Sequence, residues 1–139
     1  MTYRYSPPFG LRVLQVVVLI EALLRGVSYM LFENTSLSTT DVAQSAPLAV
    51  WGAVFAGFAI LGLFGEALMS GVPINPEGTP RAWPSLIAHS GLMILYVALS
   101  LAYANAVLDG EVGRAQAPGA LLVFAFIHWL FARRRKHVT

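Results

Sequence analysis

The chain has 139 residues, 57% of them hydrophobic and 12% charged, with a mean hydropathy of +0.67 and a formal net charge of +2. Soluble domains carry about 25% charged residues, so this composition belongs in lipid and leaves no length for a separate soluble domain. The absence of cysteine excludes disulfides, thiolate catalysis, iron–sulfur clusters and Cys-ligated zinc.

The first apolar run, Leu11–Phe32, is long enough to cross ~30 Å of hydrocarbon as a helix. Glu21 and Arg25 stand in its middle, one helical turn apart. A charge at the bilayer centre costs at least ~2.5–3.5 kcal/mol on insertion scales, and opposite charges at i and i+4 offset one another. The pair is therefore expected to bond within its helix and to meet a neighbouring helix or another copy. Ser28 extends it into a polar stripe, since at ~100° per residue the three fall within about 60°. These charges, and the distance to the nearest small-residue site at 43–46, argue against a cleaved signal peptide. The polar loop after it includes Asn34-Thr35-Ser36, a chance match to the glycosylation pattern.

The second run, Pro47–Met69, sets Gly52, Ala59, Gly62 and Glu66 on one face, where small residues allow close helix approach and lead down to a carboxylate. A loop with four prolines, Ser70–Pro84, separates it from the third run, Ser85–Leu108. There His89, Met93, Tyr96, Ser100 and Tyr103 line one side at helical spacing. The fourth run, from about Ala115 to Ala132, is shorter and carries His128. It is expected to need local bilayer thinning or snorkelling by the arginines that follow. Pro47, Pro84 and Pro118 fall at helix starts, where a missing N–H costs nothing.

Arg4, Arg12, Arg81 and the run Arg133, Arg134, Arg135, Lys136 fall on one side of the membrane, and Arg114 on the other. The predicted fold is therefore an all-α integral membrane protein, a single membrane domain over 1–139. Its four transmembrane helices form an up-down bundle with both termini cytoplasmic. Tyr3, Tyr5, Trp51, Trp83 and Trp129 lie near span ends, as interfacial aromatics do. The basic tail 133–139 is expected to fix topology and to anchor the last helix on anionic lipid, at ~1 kcal/mol per residue. Topology accounts for these charges better than nucleic acid does. Among the basic residues only Lys136 is lysine, a composition that suits a GC-rich bacterial or phage genome and hence the bacterial inner membrane.

In this topology Glu66, His89 and His128 share one depth, ~5–7 Å from the cytoplasmic ends of their spans. They are candidate metal ligands, and His89 with His128 is a candidate haem pair of a redox bundle. The principal expectation is no cofactor, the polar stripes holding helices together at ~0.6 kcal/mol per interhelical hydrogen bond. Walker A, dinucleotide, His-Glu-x-x-His and Gly-x-Ser-x-Gly patterns are absent from the sequence, so the protein is expected not to be an enzyme.

The spans, short loops and charged tail resemble the architecture of small phage holins. That resemblance implies a protein that permeabilises the membrane by self-association, its Gly52/Ala59/Gly62 face packing helices and Glu21 and Arg25 facing other copies. The expected partners are the lipid bilayer and either further copies or another membrane protein, with no nucleic acid. An accessory subunit or a phage exclusion or immunity protein is the first alternative. The second is a small dimeric transporter or proton relay using Glu21, Arg25, Glu66 and the histidines.

Overall fold

The computed structural model describes residues 9–32, 47–70, 82–110 and 112–136. Among them are four long helices and no strand: α1 (Phe9–Leu31), α2 (Leu48–Ser70), α3 (Trp83–Leu108) and α4 (Gln116–Lys136), with a 3-10 turn at Val112–Arg114 ahead of α4. All four helices are long and apolar enough to cross a membrane.

The boundaries follow local chemistry. Pro84 stands in the first turn of α3, where its fixed φ suits the helix and its missing N–H goes unnoticed. After α3 the chain turns at Gly110, whose φ of 107° is one that a side chain rarely adopts. The end of α4 departs from expectation. The helix continues through Lys136 instead of stopping near Ala132, so the basic run forms its last turns and not a tail. Arg and Lys are good helix formers, and cations are favoured at a helix C-terminus. The helix thereby reaches 21 residues.

Consecutive helices pack closely, α1 on α2, α2 on α3 and α3 on α4, whereas α1 and α4 make no comparably close approach. Small residues set the first two contacts. A Cβ added at Gly26 would lie 2.7 Å from Gly52 O and from Ala56 N, so α1 and α2 touch backbone to backbone. A Cβ at Gly65 would lie 2.7 Å from Ser85 N, which brings α2 equally close to α3. Between the helices lies a core of Leu19, Phe55, Ala59, Leu92, Tyr96 and Leu121. The outward faces carry exposed Val17, Leu24, Ile60, Phe64, Ile94, Leu101 and Phe126. Lipid is the solvent in which such a surface is at rest.

Candidate functional site

Two polar clusters occupy the interior. The first is built on α1. Glu21 and Arg25 form the expected i,i+4 ion pair, with Arg25 Nε 2.9 Å and Nη2 2.5 Å from Glu21 Oε1. Arg25 also donates to Tyr29 Oη at 3.4 Å, and its guanidinium lies 5.6 Å from the centre of the Tyr96 ring. The other carboxylate oxygen of Glu21 accepts the Tyr96 hydroxyl across the bundle. Ser28 does not join them. It is exposed and donates to Leu24 O of its own helix at 2.8 Å, the back-bonding that a serine adopts on a helix surface.

The second cluster draws on all four helices. Glu66, buried near the end of α2, accepts Ser85 Oγ at 2.7 Å and Gln15 Nε2 at 2.5 Å on Oε1. Arg135 Nη2 donates to both carboxylate oxygens, at 2.9 and 3.0 Å. Gln15 Nε2 is also 3.0 Å from His89 Nε2, and His89 Nδ1 is 2.8 Å from His128 Nδ1. Both imidazoles are wholly buried, with His89 lying against Phe131, 5.3 Å between ring centres.

Tyr96 joins the two clusters. Its ring stacks on His128 at 5.4 Å and 16° and on Phe124 at 5.4 Å and 20°, while Phe55 meets it edge-on at 5.2 Å. Such contacts add ~0.5–1.5 kcal/mol each beyond burial. They fix the hydroxyl where Glu21 takes it.

The shared depth of Glu66, His89 and His128 is thus real proximity, but not a ligand shell. Among the described residues no three His, Asp or Glu side chains are placed to hold one metal ion. Gln15 stands between Glu66 and His89, and Arg135 already neutralises the carboxylate. The two imidazoles face one another at hydrogen-bond distance, Nδ1 to Nδ1, so each of these nitrogens is engaged by the other.

The remaining expected residues serve packing. Gly52 and Gly62 are buried at helix contacts, Gly52 against Gly26 and Met30 and Gly62 against Leu19 and Ala88, and Ala59 is wholly buried between them. Ser100 donates to Pro118 O at 2.8 Å, tying α3 to the start of α4. Tyr103 packs against the core. Of the basic run, Arg133 is exposed over Trp129 at 5.4 Å and Arg134 is half-buried, while Arg135 turns inward and bonds Glu66. Arg4, Arg81, Tyr3, Tyr5, the 34–36 tripeptide and the side chains of Arg114 and Lys136 lie outside the described residues.

Gln15, Tyr29 and Ser85 were not legible as site residues, and Arg135 was legible only as a topology or lipid residue, not as a partner of Glu66. A lone amide or hydroxyl in an apolar run carries no spacing signal, and Arg135 is indistinguishable from its basic neighbours until the helix carries it round to face Glu66. Comparison with protein-family models, with curated proteins and with solved structures finds no match to this chain.

Proposed function

We propose that this chain is an up-down four-helix bundle of the bacterial cytoplasmic membrane with both termini cytoplasmic. It acts without catalysis, by associating with copies of itself or with another membrane protein. A holin-like membrane-permeabilising protein of phage or bacterial origin is the most concrete form of that reading. One observation carries it. The Glu21 and Arg25 side chains, near the middle of α1, remain 27% and 25% exposed despite their internal bonds. Hydrocarbon is a costly cover for an ion pair, whereas a polar group on a second protein surface is a good one. The pair also reaches across toward Tyr96, which stacks on α4, on the side where α1 and α4 are not closely packed.

The up-down arrangement is supported by which helix ends meet. Gln15 early in α1, Glu66 late in α2, Ser85 early in α3 and Arg135 late in α4 share one cluster. The positive-inside count supports the orientation. A cysteine placed at Ser70 is expected to react with a membrane-impermeant maleimide only from the cytoplasmic side, and one at Asp109 only from outside. The native chain has no cysteine to confuse the readout, and the reverse labelling would invert the topology.

Expression in a bacterium is expected to depolarise the membrane abruptly, and the Glu21→Ala/Arg25→Ala double variant is expected to insert at normal levels without doing so. Equal depolarisation by both would remove the charge pair from the mechanism. No depolarisation by either, with a defined membrane protein co-purifying, would favour the accessory or immunity form.

A second reading, a proton relay, is favoured by a different observation: Glu21, Tyr96, His128, His89 and Glu66 follow one another through the bundle by hydrogen bond, ring stack or a bridging amide.

A further inference from the structure

The hydrogen bonds of the second cluster fix its proton positions. Gln15 Nε2 is 2.5 Å from the Glu66 carboxylate, and a flipped amide would set oxygen against oxygen there, so the NH2 group occupies that place. Its two hydrogens go to Glu66 and to His89 Nε2, and an amide nitrogen accepts nothing. His89 Nε2 is therefore bare and His89 Nδ1 carries the proton. A contact of 2.8 Å between two imidazole nitrogens needs one N–H and one bare nitrogen. His128 Nδ1 is the bare one, and His128 is protonated on Nε2. That nitrogen is buried and has no hydrogen-bond partner among the described residues.

Along the path from Gln15 to Glu21 the donors point one way. Gln15 donates to His89, His89 to His128, and past the ring stack Tyr96 donates to Glu21. The one unfilled step is an acceptor for His128 Nε2–H. Tyr96, stacked on His128, has its hydroxyl proton committed to Glu21 and retains oxygen lone pairs to accept with. A water molecule has the matching polarity, accepting from His128 and donating to Tyr96, with two polar partners of the kind that hold buried water. A buried N–H left alone costs ~1–3 kcal/mol.

We propose that His128 Nε2 is the binding point of a single buried water, which joins the two clusters into one hydrogen-bond chain directed at Glu21. This rests on the relay reading, to which it adds a direction and a gate. A proton from bulk water enters at His89 Nε2 once the Gln15 amide swings aside. The Nδ1 proton of His89 then passes to His128 Nδ1, the Nε2 proton of His128 to the water, a water proton to Tyr96 Oη, and the Tyr96 proton to the Glu21 carboxylate. One proton enters, one arrives on Glu21, and both imidazoles end as the opposite tautomers. Gln15, whose amide is a poor proton carrier, holds the entry closed.

Solid-state NMR of 15N-histidine protein in bilayers tests the water site directly, in a His137→Asn background that leaves only the pair. The expected spectrum shows His89 protonated at Nδ1, His128 protonated at Nε2, and magnetisation transfer from water to the His128 Nε2 proton that weakens in Tyr96→Phe. The reverse tautomers, or an Nε2 proton with no transfer from water, would overturn the proposal. Proton uptake by proteoliposomes under an imposed potential tests the relay separately. Uptake that rises several-fold in Gln15→Ala and vanishes in Gln15→Ala/His128→Phe supports it. Equal uptake by the wild type and both variants sinks the relay while leaving the water site to be judged by the spectrum.

Discussion

Glu66→Ala is expected to lower the stability of the inserted bundle by ~3–5 kcal/mol, the usual cost of removing one member of a buried ion pair. The carboxylate is the common acceptor of Arg135, Gln15 and Ser85, so its loss strands a guanidinium that is only 16% exposed together with two polar groups from two other helices. Replacing both charges, as in Glu66→Leu/Arg135→Leu, is expected to recover most of the loss, because the stranded charge and not the missing attraction dominates. Unfolding in mixed micelles by SDS titration measures both variants. A Glu66→Ala loss under ~1 kcal/mol would mean that Arg135 swings out to water at little cost, as a side chain in the last turns of a helix can by snorkelling.

The second large effect concerns the α1–α2 contact. Gly26→Ala and Gly52→Ala are each expected to destabilise by ~1–3 kcal/mol, since the added methyl would stand 2.7 and 2.5 Å from backbone oxygen of the opposite helix. Backbone cannot step aside as a side chain can, so the helices must separate along their length. Gly57, also on α2, provides the control: a Cβ there meets nothing within 4 Å. Gly57→Ala is expected to be neutral or slightly stabilising, as alanine is the better helix former. If all three substitutions behave alike in the same SDS titration, the backbone contact contributes little to stability.

The four spans were legible because lipid imposes a constraint that hydropathy reads directly: length and apolarity suffice, whatever the partners. The Glu21–Arg25 bond was legible because i,i+4 spacing decides it within one helix. Contacts between helices were a different matter. Helical spacing set Tyr96 and His89 on one face of α3, but not that Tyr96 would reach Glu21 while His89 met His128, since spacing within one helix does not say how that helix is turned toward its neighbours. Ser28 shows the limit on a single helix, for membership of a stripe did not keep it from bonding its own backbone. Arg135 shows the opposite failure, a structural partner hidden within a run that has a sufficient explanation as a topology signal.

The long loop closure between Glu66 and Arg135 has a consequence for biogenesis. The two residues are 69 positions apart, and at 5–20 residues per second a ribosome takes on the order of ten seconds to deliver the second after the first. During that interval α1 and α2 can already pair through Gly26 and Gly52, and Gln15 already has the Glu66 carboxylate to bind. Glu66 stands one turn from the end of α2, within reach of interfacial water and headgroups, so its charge remains hydrated until the last turns of α4 arrive. The first hairpin can therefore form on its glycine contacts and the Gln15–Glu66 bond, and the Glu66–Arg135 pair, which ties α2 to α4, can close only when the end of the last helix has been made.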